Sequence, residues 1–137
     1  MGKIEFDEEK YVLECADFMQ MQYAEERTWD KKRKDWIHSR RSLNKFLTDW
    51  EWIMAVVKKI EWTPHPHYIN PFGSKYPCVR IERLMCSITY YGDQNILVVE
   101  SHGAKKEQVV TEAIYQFLIW YKNNTPKKLT ASSSPNR

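Results

Sequence analysis

The chain has 137 residues, 42% of them apolar, so it can bury a core of ordinary size within one domain. Its formal net charge of +3 conceals two opposite blocks: residues 1–30 carry nine acids and three bases, whereas residues 31–46 carry seven bases and one acid. The absence of a P-loop or a Rossmann glycine pattern, with only four glycines in all, excludes the common nucleotide-binding motifs.

The cysteine content and the distribution of apolar residues favour a cytoplasmic location. The chain has three cysteines, Cys15, Cys78 and Cys86, and no C-x-x-C motif. An odd number without that motif favours reduced thiols over a disulfide framework. The N-terminal residues lack the basic leader and apolar run of a secretion signal, and no stretch approaches the roughly 18–20 apolar residues of a membrane span. We therefore expect a cytoplasmic protein without a membrane partner.

The first predicted element is a helix over residues 7–26. Asp7 is suited to the N-cap position, and apolar side chains recur at helical spacing from Val12 to Tyr23. Residues 28–47 show no clear period and leave two alternatives. We favour a short helix at about 30–39, while irregular or extended structure near Leu43–Leu47 is the other interpretation.

A second helix is predicted over residues 48–61. Thr48 and Glu51 have the spacing of a capping box, in which each side chain bonds to the backbone amide of the other residue. The predicted core face of this helix consists of Ile53, Val56, Val57 and Ile60. Four prolines in residues 62–78 then predict a long loop without regular structure.

In the last third of the chain, the spacing of apolar residues first becomes that of strands and then returns to that of a helix. Alternating residues over 79–100 predict a β-meander with a turn at Gly92–Asp93, and residues 104–123 have the period of a helix. The expected fold is α+β, in one small domain at 1–124, with two or three antiparallel strands packed against three or four helices. The polar, basic residues 125–137 are expected to be a disordered tail.

The basic block is the main candidate for a binding site. Its lysines and arginines are interleaved with Trp29, Trp36 and Phe46, a combination suited to contacting phosphates and stacking on a base. The alternative is a solvated surface, or an internal partner for the acidic first helix. The predicted binding residues are Lys31, Lys32, Arg33, Lys34, Trp36, Arg40, Arg41 and Lys45.

A metal site and a hydrolase are two further alternatives with weaker support. A zinc site could draw on His65, His67, Cys78 and His102, but their spacing indicates no fourth converging ligand. A nucleophilic hydrolase could combine Cys78 or Cys86 with His102 and Asp93, which no motif supports. We therefore expect a protein that is not an enzyme and needs no cofactor.

Three stretches together resemble a family of small uncharacterised proteins of bacterial genomes, phages and mobile elements. They are VLECADFM at 12–19, TDWEWIMAVVKKIE at 48–61 and AIYQFLIWY at 113–121. The corresponding family patterns are IxxFM, SWDWLMPVVEKIE and AVxxFIxWYN. The chain departs from them with Thr48, Glu51 and Ala55 in place of Ser, Asp and Pro, and it adds the basic block.

The resemblance covers about a third of the chain and brings no catalytic residue with it. It implies a small accessory protein of phage type that binds a host protein or nucleoprotein, as anti-CRISPR inhibitors bind RNA-guided defence effectors. A stand-alone nucleic-acid-binding module that uses residues 31–45 is the alternative, because a basic segment needs no protein partner to contact phosphates.

Overall fold

A computed structural model of the chain describes residues 5–32, 34–66, 69–70, 73–74, 76–90 and 96–125. The helices and strands are α1 (Glu8–Phe18), β1 (Tyr23–Ala24), β2 (Thr28–Asp30), β3 (Asp35–Ser39), a 3-10 helix (Arg41–Asn44), α2 (Lys45–Thr48), α3 (Trp50–Glu61), β4 (Ile69–Asn70), β5 (Gly73–Ser74), β6 (Pro77–Glu82), β7 (Met85–Tyr90), β8 (Ile96–His102) and α4 (Lys106–Asn124). The predicted α+β class and single small domain are confirmed.

The first helix is shorter than the sequence predicts. The N-cap at Asp7 is confirmed, but the helix predicted over 7–26 has ended before Gln20, whose φ of 57° lies in the left-handed region. The amide of Met21 donates to the carbonyl of Ala16 at 2.8 Å, which closes a Schellman motif. The end of this helix is not apparent from the sequence, because the left-handed position is usually occupied by glycine and here it is occupied by Gln20.

The short helix predicted at 30–39 is wrong, because β2 and β3 form an antiparallel hairpin there. Trp29 lies opposite Trp36 in the register, and Thr28 lies opposite Ile37. Aromatic and β-branched residues of this kind favour strands. On its other side β3 pairs with β1 in parallel, so the acidic and basic blocks share one small sheet in the order β1-β3-β2.

The region between the hairpin and the third helix is helical, so extended structure near Leu43–Leu47 is also wrong. Thr48 is the last residue of α2 and does not cap α3. Asp49 is the cap instead, and its side chain accepts from the amide of Glu51 at 3.0 Å. The predicted end of α3 is confirmed, and its predicted core residues are all buried: Ile53, Val56, Val57 and Ile60.

The proline-rich segment contains more regular structure than predicted. Ile69 pairs with Ser74 in the two-residue strands β4 and β5, and Pro77 opens β6. A proline is tolerated as the first residue of a strand, where its missing amide hydrogen interrupts no ladder. Residues 67, 68, 71, 72 and 75 lie outside the described residues.

The predicted meander and final helix are confirmed. Strand β7 is central, and Val79, Ile88 and Val99 lie side by side across the three strands. The predicted turn at Gly92–Asp93 lies outside the described residues, as does the predicted tail beyond Thr125. Helix α4 packs against β7 and β8, while α3 contacts β6 and α1 contacts α4. The helices therefore supply the apolar surface that a small sheet needs.

Aromatic side chains fill the interface between α4 and the meander. Phe117 is fully buried, with its ring centroid 6.5 Å from that of Tyr90 on β7 and 5.8 Å from that of Trp120. The Tyr90 hydroxyl donates to the carbonyl of Thr63 at 3.1 Å, so this buried polar group is satisfied. The β2–β3 hairpin and the proline-rich segment lie at the periphery of this core.

Candidate nucleic-acid interface

The main concentration of positive charge lies in the turn between β2 and β3. We define the basic hairpin as residues 28–39, which comprise these two strands and the segment that connects them. Lys31, Lys32 and Lys34 are exposed there, and none of the three ammonium groups forms an ion pair with the described part of the chain. Arg33 lies outside the described residues. Three of the predicted cations are therefore grouped at one exposed turn.

The conformation of this turn is set by its own residues. A carboxylate oxygen of Asp30 accepts from the amide of Lys32 at 2.9 Å, which is the bond of an Asx turn. Lys34 has a φ of 54°, a left-handed conformation that is uncommon for a lysine. The side chain of Asp30 therefore stabilises the start of the turn that carries these lysines.

An exposed tryptophan accompanies these lysines. Trp29 on β2 is 47% exposed and precedes Lys31 by two residues. The aromatic residue predicted for the site was Trp36, which lies opposite Trp29 in the register but whose side chain is outside the described residues. Trp29 was among the interleaved aromatic residues but was not selected, because only a strand, not the favoured helix, places it beside the turn. Phe46 is buried and unavailable for stacking on a ligand.

Arg40 is bound by the acidic block. Its guanidinium lies 3.1 Å from a carboxylate oxygen of Glu9 on α1 and 3.9 Å from one of Glu25, and its backbone amide donates to Ala24. Both carboxylates are largely exposed, so each pair contributes well under 1 kcal/mol. Arg40 therefore joins α1 to the small sheet, and its charge is already paired with carboxylates of the acidic block. For this residue, the structure agrees with the alternative in which the two blocks neutralise each other.

The last two predicted cations lie apart from the turn. Arg41 is exposed and lines an open cleft of about 690 Å³, whose walls also carry Glu8 and Glu9. These acids weaken the attraction of the cleft for an anion. The Lys45 ammonium lies 5.4 Å from the ring centroid of Trp52 on α3, which is a cation–π contact. The structure thus brings only part of the predicted set together.

No match was found among protein-family models, curated proteins or solved structures. The resemblance to the phage and mobile-element family consequently stays a prediction from its three motifs. Within the described residues, no helix combines the length and apolar character that crossing a membrane requires.

The residues of the zinc alternative do not converge in the described part of the chain, where no group of three potential ligands could hold a metal ion. His65 is buried, with its ring centroid 4.7 Å from that of Tyr90 and 5.3 Å from that of Trp120. It is therefore a core histidine. His67, the other half of the H-x-H pair, lies outside the described residues.

Neither cysteine of the hydrolase alternative is supported as a nucleophile by the structure. Cys86 is fully buried on the core face of β7, and burial raises the pKa of its thiol to about 12. A thiol with so high a pKa forms almost no thiolate at neutral pH, and the thiolate is the nucleophile. Cys78 pairs with Thr89, whereas His102 pairs with Met85 at the far end of β7. Asp93 lies outside the described residues.

Proposed function

We propose that this chain is a phage-type accessory binding protein that engages a host nucleoprotein, an RNA-guided defence effector, in the host cytoplasm. It inhibits or modulates the effector by occupying its surface, without catalysis and without a cofactor. The observation that supports this proposal best is the exposed group of Lys31, Lys32 and Lys34 at the tip of the basic hairpin. The resemblance to phage and mobile-element proteins supports the choice of partner.

The charges of the hairpin favour RNA phosphates as the contact within such a complex. Three ammonium groups at one turn create a local positive field, although the net charge of the whole chain is only +3. They form no ion pair with the described residues, so no carboxylate among those residues has to be displaced before a phosphate can bind. Each contact to a phosphate also releases a counterion, which is the main source of affinity in such binding.

The salt dependence of binding tests this proposal. Three phosphate contacts to a single strand give a slope of about −2 for log K against log salt, or about a 20-fold loss of affinity between about 50 and 200 mM salt. The affinity of the full chain for a guide-RNA-loaded effector is measured by fluorescence anisotropy across this range. A flat salt dependence, or equal affinity for the effector stripped of its RNA, would contradict the proposed contact.

A stand-alone nucleic-acid-binding module is the second candidate, because the cations are exposed in the chain by itself. The two candidates differ in their affinity for naked RNA. The effector-binding protein makes protein contacts in addition to phosphate contacts, so it binds the loaded effector at least tenfold more tightly than the same guide RNA alone. Equal or tighter binding to the naked RNA favours the module.

A further inference from the structure

An open groove of about 360 Å³ lies between the segment that follows α1 and the helices α2 and α3. It is lined by Met19, Met21, Phe46, Glu51, Trp52 and Ala55. Five of these six side chains are apolar, and Ala55 on α3 is exposed. Methionine side chains are flexible and adapt to the shape of an apolar ligand. The groove therefore offers apolar walls to a side chain from outside it.

The described part of the chain ends close to one wall of this groove. Thr125 is its last residue, and the amide of Thr125 donates to the carbonyl of Tyr121 at 2.9 Å. The ring centroid of Tyr121 lies 6.4 Å from that of Phe18, the residue before Met19. Because an extended chain advances by at most about 3.3–3.6 Å per residue, four further residues span about 13–14 Å. The side chain at position 129 can therefore reach the wall that Met19 forms.

The segment that follows Thr125 has a composition that complements the groove. Leu129 is the only large apolar residue among residues 126–137, and Lys127–Lys128 precede it directly. The groove has one carboxylate, on Glu51, which forms no ion pair with the described residues. One apolar side chain next to two cations therefore matches an apolar groove with one exposed acid.

The apolar contact is the main source of this complementarity. An exposed ion pair contributes little, and the ammonium of Lys45, 5.4 Å from the ring centroid of Trp52, offsets part of the field of Glu51. Transfer of a leucine side chain from water to an apolar site is favourable and insensitive to salt. The anchor of the segment is therefore Leu129, and the two lysines add a weaker attraction.

We propose that residues 127–129 dock in this groove of their own chain, with Leu129 against its apolar walls and with the two lysines beside Glu51. Docking covers an apolar surface that otherwise faces solvent. It also limits the predicted disorder of residues 125–137 to the part of the tail beyond Leu129. The groove is thus a latch that holds the start of the tail on the body of the protein.

Methionine methyl groups report on the groove in the full chain. In a sample with 13C-labelled methionine methyls, Leu129→Ala should shift the resonances of Met19 and Met21, because an apolar side chain leaves their surroundings. The resonance of Met85, which lies on β7 outside the groove, should not move. Leu129→Ile keeps the apolar volume and should shift the two groove resonances much less.

Limited digestion with trypsin reports on the tail itself. When release and docking are fast relative to cleavage, the rate of cleavage follows the released fraction. Ala55→Arg places a bulky cation in the groove and leaves the cleavage sites at Lys127–Lys128 intact. It should speed removal of the tail, identified by the mass of the product, about fivefold or more. Gln108→Arg is the matched control, exposed on α4 outside the groove, and should leave this rate unchanged.

Either of two results would overturn the proposal: unchanged resonances of Met19 and Met21 in Leu129→Ala, or an unchanged cleavage rate in Ala55→Arg. Circular dichroism checks that both variants are folded. Protection from trypsin that increases with protein concentration would show that the tail of a second copy fills the groove, which also contradicts docking within one chain. Neither measurement involves RNA, so the outcome is independent of the proposed function.

Discussion

Replacing Lys31, Lys32 and Lys34 together by glutamate is expected to weaken binding to the loaded effector about 100-fold. Each lost charge-assisted contact costs about 1 kcal/mol, and three such contacts correspond to about two orders of magnitude in affinity. The salt slope should also fall by about 2 in magnitude, because three fewer counterions are released. The thermal midpoint should change little, since all three side chains are exposed.

A second triple variant separates the position of the charges from their number. Lys58, Arg83 and Lys105 are exposed residues outside the hairpin, and their replacement by glutamate changes the net charge by the same amount. This variant should retain affinity within a few-fold of the unmodified chain and keep most of the salt slope. Equal losses in both triple variants would show that binding follows net charge, which contradicts a role specific to the hairpin.

Replacing Phe117 by alanine is expected to destabilise the fold by about 3–5 kcal/mol. The ring is fully buried between α4 and the meander, so its removal leaves a cavity as well as losing apolar burial. This loss is a large part of the roughly 5–15 kcal/mol that stabilises a domain. Urea denaturation followed by circular dichroism measures the free energy of unfolding.

Leu97 is the control for this core substitution. It lies on β8 and is 55% exposed, so Leu97→Ala should lower the free energy of unfolding by less than about 1 kcal/mol. A loss below about 1 kcal/mol for Phe117→Ala would contradict the packing of α4 on the meander. The described ring contacts of Phe117 are with Tyr90, Trp120 and Tyr121, none of which belongs to the basic hairpin. We therefore expect Phe117→Ala to affect binding only by unfolding the chain.

The parts of the fold with a sustained period were predictable from the sequence. Helix α3 repeats apolar residues along one face, and the meander alternates over strands of six and seven residues. The early end of α1 was not predictable, because a glutamine at position 20 adopts the conformation that glycine usually supplies. The strands of the small sheet are only two to five residues long, too short to display a period.

The candidate site was predictable in composition but not in arrangement. The run of cations indicated an anionic partner, and its lysines at 31, 32 and 34 do lie together. An internal partner in the acidic first helix was one predicted alternative, but the particular pair of Arg40 and Glu9 could not be foreseen, because the two residues are 31 positions apart in the sequence. Trp29 was already one of the interleaved aromatic residues, but its position beside the turn became clear only once β2 was known to be a strand.

The most direct measurement of the central claim is the site at which RNA cross-links to the chain. The complex with a short single-stranded RNA is irradiated with ultraviolet light, digested, and searched by mass spectrometry for peptides that carry a nucleotide. The account predicts adducts on peptides from residues 28–39, lost when Lys31, Lys32 and Lys34 are replaced by glutamate. Adducts confined to other surfaces, such as the meander or the start of α4, would contradict it.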